Sequence, residues 1–143
     1  MLKSNTQIKG ENMQQIKKIL TVDDQSLNNE IVREILGYDY DVKTAKTGEE
    51  ALKTALDFQP DLILLDIMMP GMDGYEVCRR LRANSALSDT TIIMVSAKEA
   101  IEDKVKGYEV GASDYISKPF TEEGLRESVL FFLRKSVNTD SSS

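Results

Sequence analysis

Five polar side chains of this sequence have the chemistry to hold a cation and a phosphoryl group, and each stands at or near the end of a short apolar stretch. They are Asp23, Asp24, Asp66, Ser96 and Lys118. Carboxylates that share one partly desolvated crevice repel each other, and a divalent cation with oxygen ligands relieves that repulsion. Mg²⁺ is the expected ion because it takes carboxylates together with waters and phosphate oxygens, and Mn²⁺ is the alternative.

This set of residues matches the requirements of phosphoryl transfer to an aspartate. Asp66 is the expected nucleophile because it lies centrally, whereas the adjacent pair Asp23 and Asp24 is better suited to holding metal. The Lys118 ammonium would neutralise phosphoryl oxygens, and the Ser96 hydroxyl would hydrogen-bond the product. A helix start at the acidic pair or a helix cap at Ser96 explains each residue singly, but not their convergence.

The sequence contains no histidine, and this absence excludes several chemistries. A zinc site of the HExxH kind, a Ser-His-Asp triad and an internal phosphohistidine relay all need an imidazole. Phosphatases with an aspartate nucleophile carry an Asp-x-Asp motif, whose second carboxylate acts as acid and base. The corresponding segment here, Asp66-Ile67-Met68, lacks that second carboxylate. We therefore expect the chain to catalyse no reaction other than its own phosphorylation and dephosphorylation. The phosphoryl donor must then be another molecule.

The elements that must position these side chains alternate along the chain. Five apolar or β-branched stretches, ending near residues 22, 45, 66, 95 and 116, predict strands, and a helical pattern follows each one. This alternation predicts a five-stranded parallel sheet with helices on both faces, in three layers. A flavodoxin-like strand order of 2-1-3-4-5 would bring all the polar groups to the carboxyl edge of the sheet, where such folds bind ligands.

The helices are predicted from apolar spacing and from capping residues. Apolar residues recur every three or four positions in the first and fourth helices, at Leu27, Ile31, Ile35, Ile101, Val105 and Tyr108. The segment Thr47-Gly48-Glu49-Glu50 is typical of a capping box that opens the second helix. Thr121 is the expected cap of the last helix, which is predicted to run to about Lys135.

The last helix contains five consecutive apolar residues, 129–133, which cannot all face the sheet. The positions that suit the core are Leu125, Val129, Phe132 and Leu133. Leu130 and Phe131 are left nearer the outside. Two explanations stay open for them: a partner or dimer surface, and a helix side covered by the C-terminal tail.

Composition predicts one domain in a reducing compartment. The chain has 143 residues, 41% of them hydrophobic, and a net charge of -6, which disfavours direct contact with nucleic acid or an anionic membrane. No apolar run approaches the roughly 18 residues of a membrane helix, and Cys78 is the single cysteine. We predict a cytoplasmic protein with a polar, disordered extension over 1–15, a folded domain over 16–137 and a disordered tail over 138–143.

Four motifs carry a family resemblance. They are Val22-Asp23-Asp24, the run from Leu65-Asp66 through Met68-Met69-Pro70-Gly71-Met72-Asp73-Gly74, Val95-Ser96-Ala97, and Ser117-Lys118-Pro119-Phe120. In this order and spacing the chain resembles the receiver domain of bacterial two-component response regulators, which is CheY-like, over about 16–137. The resemblance implies that Asp66 is the phosphoacceptor. It also implies that Asp24 binds Mg²⁺ directly, Asp23 partly through water, and Met68 through its backbone carbonyl.

The resemblance further assigns a switch and partners. Ser96 would be the hydroxyl switch, Lys118 the phosphate partner, and Tyr115 the aromatic that turns inward when Ser96 moves, although Tyr115 is equally well explained as strand packing. The donor would be a histidine kinase or a histidine phosphotransfer protein. The surface of the fourth helix, fifth strand and last helix would switch toward a downstream protein target or a second copy of the chain. A pseudo-receiver that only binds would usually lack part of the acidic cluster or the lysine, and neither is missing.

Two residues that flank the site bear on how long the phosphoryl group lasts. Met68 stands two positions after Asp66, and Lys98 stands two positions after Ser96. Neither side chain activates a water as a carboxylate or amide does. We therefore expect a phosphoryl group that persists for minutes or longer.

Overall fold

The structure is a computed structural model that describes residues 15–142, with side chains described over 15–134. Strands and helices alternate within this part of the chain. They are β1 (Lys18–Val22), α1 (Ser26–Leu36), β2 (Asp41–Ala45), α2 (Gly48–Phe58), β3 (Leu62–Asp66), α3 (Gly74–Ala83), β4 (Thr91–Ser96), α4 (Ile101–Glu109), β5 (Asp114–Ser117) and α5 (Glu122–Ser142), with a 3-10 turn at Ser85–Leu87. This alternation is the one that the sequence predicts.

The strands form one parallel sheet in the order β2-β1-β3-β4-β5, which confirms the predicted flavodoxin-like topology. Val22 pairs with Leu65 across β1 and β3, and Asp66 pairs with Val95 across β3 and β4. Strand β3 is buried along its whole length, as expected for a central parallel strand covered on both faces. The carboxyl ends of β1, β3 and β4 therefore meet at one edge of the sheet.

The core lies in two layers, one on each face of the sheet. Alternate residues of β3 point to opposite faces, so that Ile63 and Leu65 pack with α2 and α3, while Leu62 and Leu64 pack with α1 and α5. Cys78 of α3 is fully buried in the first layer, where it packs as an apolar side chain. The central strands are therefore packed between helices on both faces.

Helix α1 buries a different side from the one that carries its regularly spaced apolar residues. Leu27 and Ile31 are 70% and 44% exposed, whereas Val32 and Asn29 are buried together with Ile35. The predicted helix is present, but only Ile35 of its three spaced apolar residues is buried. Asn29 sets the orientation of the helix, because its Nδ2 atom donates at 3.0 Å to the Asp23 carbonyl oxygen and at 3.1 Å to the Ala45 carbonyl oxygen, and a buried amide needs such partners.

Helix α4 also turns its predicted apolar side outward. The predicted helix is present, but its three spaced apolar residues, Ile101, Val105 and Tyr108, are exposed. Gly107 is the one buried residue of this helix. A side chain at Gly107 would lie 3.6 Å from both Met94 and Tyr115. Gly107 is thus the residue of α4 that faces the sheet, at an ordinary contact distance, and the apolar stripe is left on the surface.

The predicted caps are present. The Thr47 hydroxyl accepts a hydrogen bond from the Glu50 backbone N–H at 3.0 Å, and the Glu50 carboxylate accepts from the Lys46 N–H at 2.7 Å. The reciprocal bond of the capping box is therefore made one residue before the cap. At α5, the Thr121 hydroxyl accepts from the Gly124 N–H at 2.9 Å. Both helices begin where the sequence predicts.

Helix α5 is longer than predicted. It continues to Ser142 rather than ending near Lys135, and so includes most of the segment 138–143 that was expected to be disordered. No proline or glycine follows Gly124 in the sequence, and extending an existing helix needs only one further hydrogen bond per residue. Residues 1–14 and 143 lie outside the described residues, so the predicted disorder of the extension 1–15 and of the last tail residue stays a prediction.

The apolar run of α5 divides as predicted. Val129 and Leu133 are buried and Phe132 is half-buried, while Leu130 and Phe131 are 45% and 58% exposed. The Phe131 and Phe132 rings pack edge to face, with centroids 5.1 Å apart.

Candidate functional site

Three carboxylates converge at the carboxyl edge of the sheet, where β1 and β3 lie side by side. Asp23 and Asp24 directly follow β1, and Asp66 is the last residue of β3. Oxygen atoms of the three side chains lie within 4.8 Å of one another. Asp23 and Asp66 are only 5% and 7% exposed. The sequence predicts this cluster, and parallel pairing of the two strands produces it.

Lys118 supplies a positive charge to the carboxylate cluster. Its Nζ atom lies 2.9 Å from Asp23 Oδ2 and 3.6 Å from Asp66 Oδ1. Lys118 follows β5, and its backbone N–H donates at 2.9 Å to the Ser96 carbonyl oxygen. The end of β5 is thereby tied to β4, which directs the lysine over the carboxyl ends of β1 and β3.

The charge states of the site follow from burial and from the neighbouring charges. Burial raises the pKa of Asp66 from its ordinary 3.8 to about 6, while the Lys118 ammonium opposes this and the Asp23 carboxylate adds to it. Burial alone would lower the pKa of Lys118, but the Asp23 and Asp66 carboxylates outweigh it and the net direction is upward. One ammonium does not compensate three carboxylates, so the site attracts a further cation.

Asp23 is held in place by groups at the start of α1 that the sequence prediction missed. Its Oδ1 atom accepts from the Gln25 backbone N–H at 3.0 Å, and its Oδ2 atom accepts from Asn28 Nδ2 at 3.1 Å. Asn29 is 2% exposed and binds the Asp23 carbonyl oxygen. The sequence signal that could have revealed these contacts is the pair of adjacent asparagines in the first turn of a helix that starts next to two aspartates.

The loop after Asp66 closes tightly against the strand end. The Gly74 N–H donates at 2.9 Å to the Ile67 carbonyl oxygen. A side chain at Gly74 would lie 2.4 Å from the Asp66 carbonyl oxygen and 2.7 Å from Ile67 Cα, so only glycine fits there. Met68 donates a backbone hydrogen bond that lowers the pKa of Asp66, and its side chain is 58% exposed.

Ser96, Lys98 and Tyr115 form a hydrogen-bonded group beside the cluster. Ser96 is fully buried at the end of β4, and its hydroxyl accepts from the Lys98 backbone N–H at 3.1 Å. The Tyr115 hydroxyl donates to the Lys98 carbonyl oxygen at 2.7 Å. Burial raises the pKa of Tyr115 and the nearby Ser96 hydroxyl lowers it, with a net upward direction. The Lys98 ammonium lies 3.7 Å from the Asp103 carboxylate.

A cavity of about 390 Å³ opens beside Asp66, Asp23 and Lys118. The sequence prediction did not include it. Most of the residues that line it are apolar, namely Val22, Ile31, Val32, Leu64, Val95, Ala97, Pro119, Phe120 and Leu125. The cavity lies on the α1 and α5 side of the sheet, next to the exposed apolar residues of α1.

Comparison with known proteins identifies the family. The family model for the response regulator receiver domain matches residues 19–130, so the chain belongs to the response regulator receiver domains. The alkaline phosphatase synthesis transcriptional regulatory protein PhoP of Bacillus subtilis is 46% identical over 125 residues, which are 84% of this chain and 50% of the relative. The chain spans about half the length of the curated relatives it matches.

Solved structures agree with this family. The chemotaxis protein CheY4 of Vibrio cholerae is 34% identical, with a TM-score of 0.78, and the match covers 80% of this chain and 97% of that one. The BeF3-activated receiver domain of DrrB, a Thermotoga maritima OmpR/PhoB homologue, is 35% identical, with a TM-score of 0.77 over 84% of this chain and 99% of that one. Members of this family are phosphoacceptor signalling domains rather than conventional enzymes.

The side chains of this site fit a divalent cation. Receiver domains bind Mg²⁺ at an acidic pocket, and the three clustered carboxylates supply hard oxygen ligands with excess negative charge.

Among the described residues, no helix has the length and apolar character needed to cross a bilayer.

Proposed function

We propose that this receiver domain, over 16–137, accepts a phosphoryl group on Asp66 and passes the signal to a partner through α4, β5 and α5. The observation that carries the proposal is the position of the Asp66 carboxylate. It is 7% exposed, shares its pocket with two further carboxylates, and lies 3.6 Å from the Lys118 ammonium. This combination provides a nucleophile, a cation site and a fixed positive charge in one place.

In the proposed transfer, an ionised Asp66 oxygen attacks the phosphorus of a phosphohistidine on a histidine kinase or phosphotransfer protein. The new P–O bond forms as the P–N bond breaks, and the electron pair leaves with the donor imidazole. The Lys118 ammonium neutralises charge on the transferred oxygens, and the Ser96 hydroxyl hydrogen-bonds the product. Because the pKa of Asp66 is about 6, its carboxylate is mostly ionised at neutral pH.

Mg²⁺ would be held by Asp23, Asp24, Asp66 and the Met68 backbone carbonyl, with Mn²⁺ as an alternative ion. When bound, the ion neutralises charge on the phosphoryl oxygens. Asn28 and the Gln25 backbone N–H keep the Asp23 carboxylate oriented toward the crevice. Ligand-orienting contacts of this kind support a metal site.

The proposed output begins at Ser96. To donate its proton to the phosphoryl group, the Ser96 hydroxyl would move toward Asp66 and away from the Lys98 N–H, from which it now accepts at 3.1 Å. Tyr115 donates to the Lys98 carbonyl oxygen at 2.7 Å, so a shift of this segment changes the tyrosine and the start of α4. The downstream protein or second copy would read this change on α4, β5 and α5, where Leu130 and Phe131 are partly exposed.

The donor must reach Asp66 from outside because the chain has no histidine. The exposed side of α1 supports an approach from that direction, since Leu27 and Ile31 are 70% and 44% exposed and the cavity beside Asp66 reaches Ile31. An apolar surface next to a reactive group is typical of a docking site. We place this signalling event in the cytoplasm.

The phosphoryl group on Asp66 is proposed to persist for minutes or longer. The exposed Met68 side chain carries no group that activates water, and the Lys98 ammonium is paired with the Asp103 carboxylate at 3.7 Å. Hydrolysis therefore has no assigned general base. Decay within seconds in Mg²⁺ buffer would contradict this part of the proposal.

Intact mass spectrometry after incubation with acetyl phosphate and Mg²⁺ tests the function. We expect a phosphoryl-sized mass gain that disappears in Asp66→Asn and in excess EDTA. Asp57→Asn, which changes an exposed aspartate of α2, should keep the gain and serves as the matched control. Absence of the gain in the unmodified chain would favour the alternative, a pseudo-receiver that binds its partner without phosphorylation.

A further inference from the structure

Helix α4 is attached to the rest of the domain mainly by polar contacts. Among its residues only Gly107 is buried, and its large apolar side chains point outward. The Tyr115 hydroxyl binds the Lys98 carbonyl oxygen just before the helix, and the Tyr75 hydroxyl donates to the Asp103 carbonyl oxygen in its first turn, at 3.1 Å. A helix held in this way has little apolar burial to lose when it moves.

Tyr75 lies between two parts of the domain that matter for signalling, which are helix α4 and the end of the strand that carries Asp66. It is 4% exposed and packs in the core layer that contains Leu65 and Ile67. The Lys106 ammonium of α4 lies 4.4 Å from the centroid of the Tyr75 ring, close enough for a cation-π contact. The tyrosine therefore contacts α4 through both its hydroxyl and its ring.

The other neighbour of Tyr75 is the phosphoacceptor strand. Gly74 precedes it, and the Gly74 backbone is so close that an added side chain would lie 2.4 Å from the Asp66 carbonyl oxygen. The Gly74 N–H also binds the Ile67 carbonyl oxygen at 2.9 Å. A backbone shift at Asp66 or Ile67 is therefore transmitted to Tyr75, since close-packed backbones leave no free space to absorb it.

We propose that Tyr75 is a second coupling tyrosine, a positioning residue that links the backbone after Asp66 to the first turn of α4 through its hydrogen bond to Asp103. It acts in parallel with the route through Ser96 and Tyr115, and reaches α4 from α3 rather than from β5. The inference rests on the proposed phosphorylation of Asp66. We therefore expect phosphorylation to act on α4 through two contacts, the one from Tyr75 and the one from Tyr115, each of which carries part of the response.

Hydrogen exchange of the α4 backbone amides, followed by mass spectrometry, tests this coupling. Tyr75→Phe keeps the ring and removes only the hydroxyl that binds Asp103. Loss of one hydrogen bond should speed exchange of α4 amides by between about twofold and about tenfold before phosphorylation. After acetyl phosphate and Mg²⁺, the change in α4 exchange should be smaller in Tyr75→Phe than in the unmodified chain.

Tyr38→Phe is the matched control, because Tyr38 follows α1, lies outside α4 and is 87% exposed. It should leave α4 exchange close to that of the unmodified chain. Equal α4 exchange in Tyr75→Phe and the unmodified chain, or an equal increase in Tyr38→Phe, would overturn the inference. Intact mass of the same samples separates the two claims: no phosphoryl gain contradicts the proposed function and the coupling with it, whereas a normal gain with an unaltered α4 response contradicts the coupling alone.

Discussion

Replacing Asp66 by asparagine should stabilise the folded protein when Mg²⁺ is absent. Burial raises the pKa of Asp66 to about 6 from its ordinary 3.8, which means that the folded state disfavours the charged carboxylate. The difference between these values corresponds to about 3 kcal/mol at a pH well above 6. Asparagine has nearly the same shape but no charge, so the variant should recover up to this amount, and Lys118 keeps its 2.9 Å contact with Asp23.

The pH dependence gives the sign of the effect. A raised aspartate pKa makes the folded state less stable once the group ionises, so the penalty is full above pH 6 and vanishes below the unfolded value near 4. In urea unfolding without Mg²⁺, the free energy of unfolding of Asp66→Asn should therefore exceed that of the unmodified chain by about 3 kcal/mol at pH 8 and by about half of that at pH 5. Mg²⁺ should reduce this difference in the free energy of unfolding, because it stabilises the unmodified chain.

Asp57→Asn provides the control for this measurement, because Asp57 is exposed and its substitution should change the free energy of unfolding by less than about 0.5 kcal/mol. Equal stability of Asp66→Asn and the unmodified chain at pH 8 would refute the reasoning. A stabilisation that does not change between pH 8 and pH 5 would refute it as well, because a packing effect has no such dependence.

Three further predictions follow from the same contacts. Thr47→Ala removes the hydroxyl that accepts the Glu50 N–H and should cost about 1 kcal/mol in urea unfolding, with an unaltered phosphoryl gain. Gly74→Ala forces a side chain against the Asp66 carbonyl oxygen and should destabilise by about 1–3 kcal/mol while slowing phosphorylation by acetyl phosphate; a neutral result would contradict the close packing. Lys118→Met removes the charge that lowers the pKa of Asp66, so the carboxyl pKa measured by carbon NMR should rise further, and a fall would contradict the assigned contacts.

The strand ends of this fold were predictable because their cause is local. The run from Leu62 to Leu65 has the apolar character of a fully buried strand, so Asp66 had to emerge at its carboxyl end. Parallel pairing then determined that Asp23 and Lys118 would share that edge. The same rule explains why the strand order and the carboxylate cluster agree with the sequence prediction.

The orientations of the helices were not predictable in the same way. Spacing of three or four residues defines a helix, but adjacent stripes of α1 satisfy it equally, and the choice was made by the buried Asn29 amide rather than by Leu27 or Ile31. In α4 the residue that faces the sheet is Gly107, next to Met94 and Tyr115. Such long-range contacts leave no periodic signal in a single sequence.

The orienting contacts of the site were missed for a related reason. Asn28 and Asn29 are ordinary residues for the start of a helix, and only the fold shows that one binds the Asp23 side chain and the other its carbonyl oxygen. The Tyr75 contact with Asp103 joins residues 28 positions apart in the sequence. Both contacts arise from packing between elements, which periodicity and motif spacing do not report.

Chemical trapping of the phosphoryl group tests the central claim most directly. Incubation with acetyl phosphate and Mg²⁺, followed by borohydride, should convert an aspartyl phosphate to homoserine, and peptide mass spectrometry then locates the modified residue. We predict homoserine at position 66 and at no other aspartate, with none formed in excess EDTA. Homoserine at another position, or a phosphoryl group that resists borohydride, would contradict the assignment of Asp66 as the phosphoacceptor.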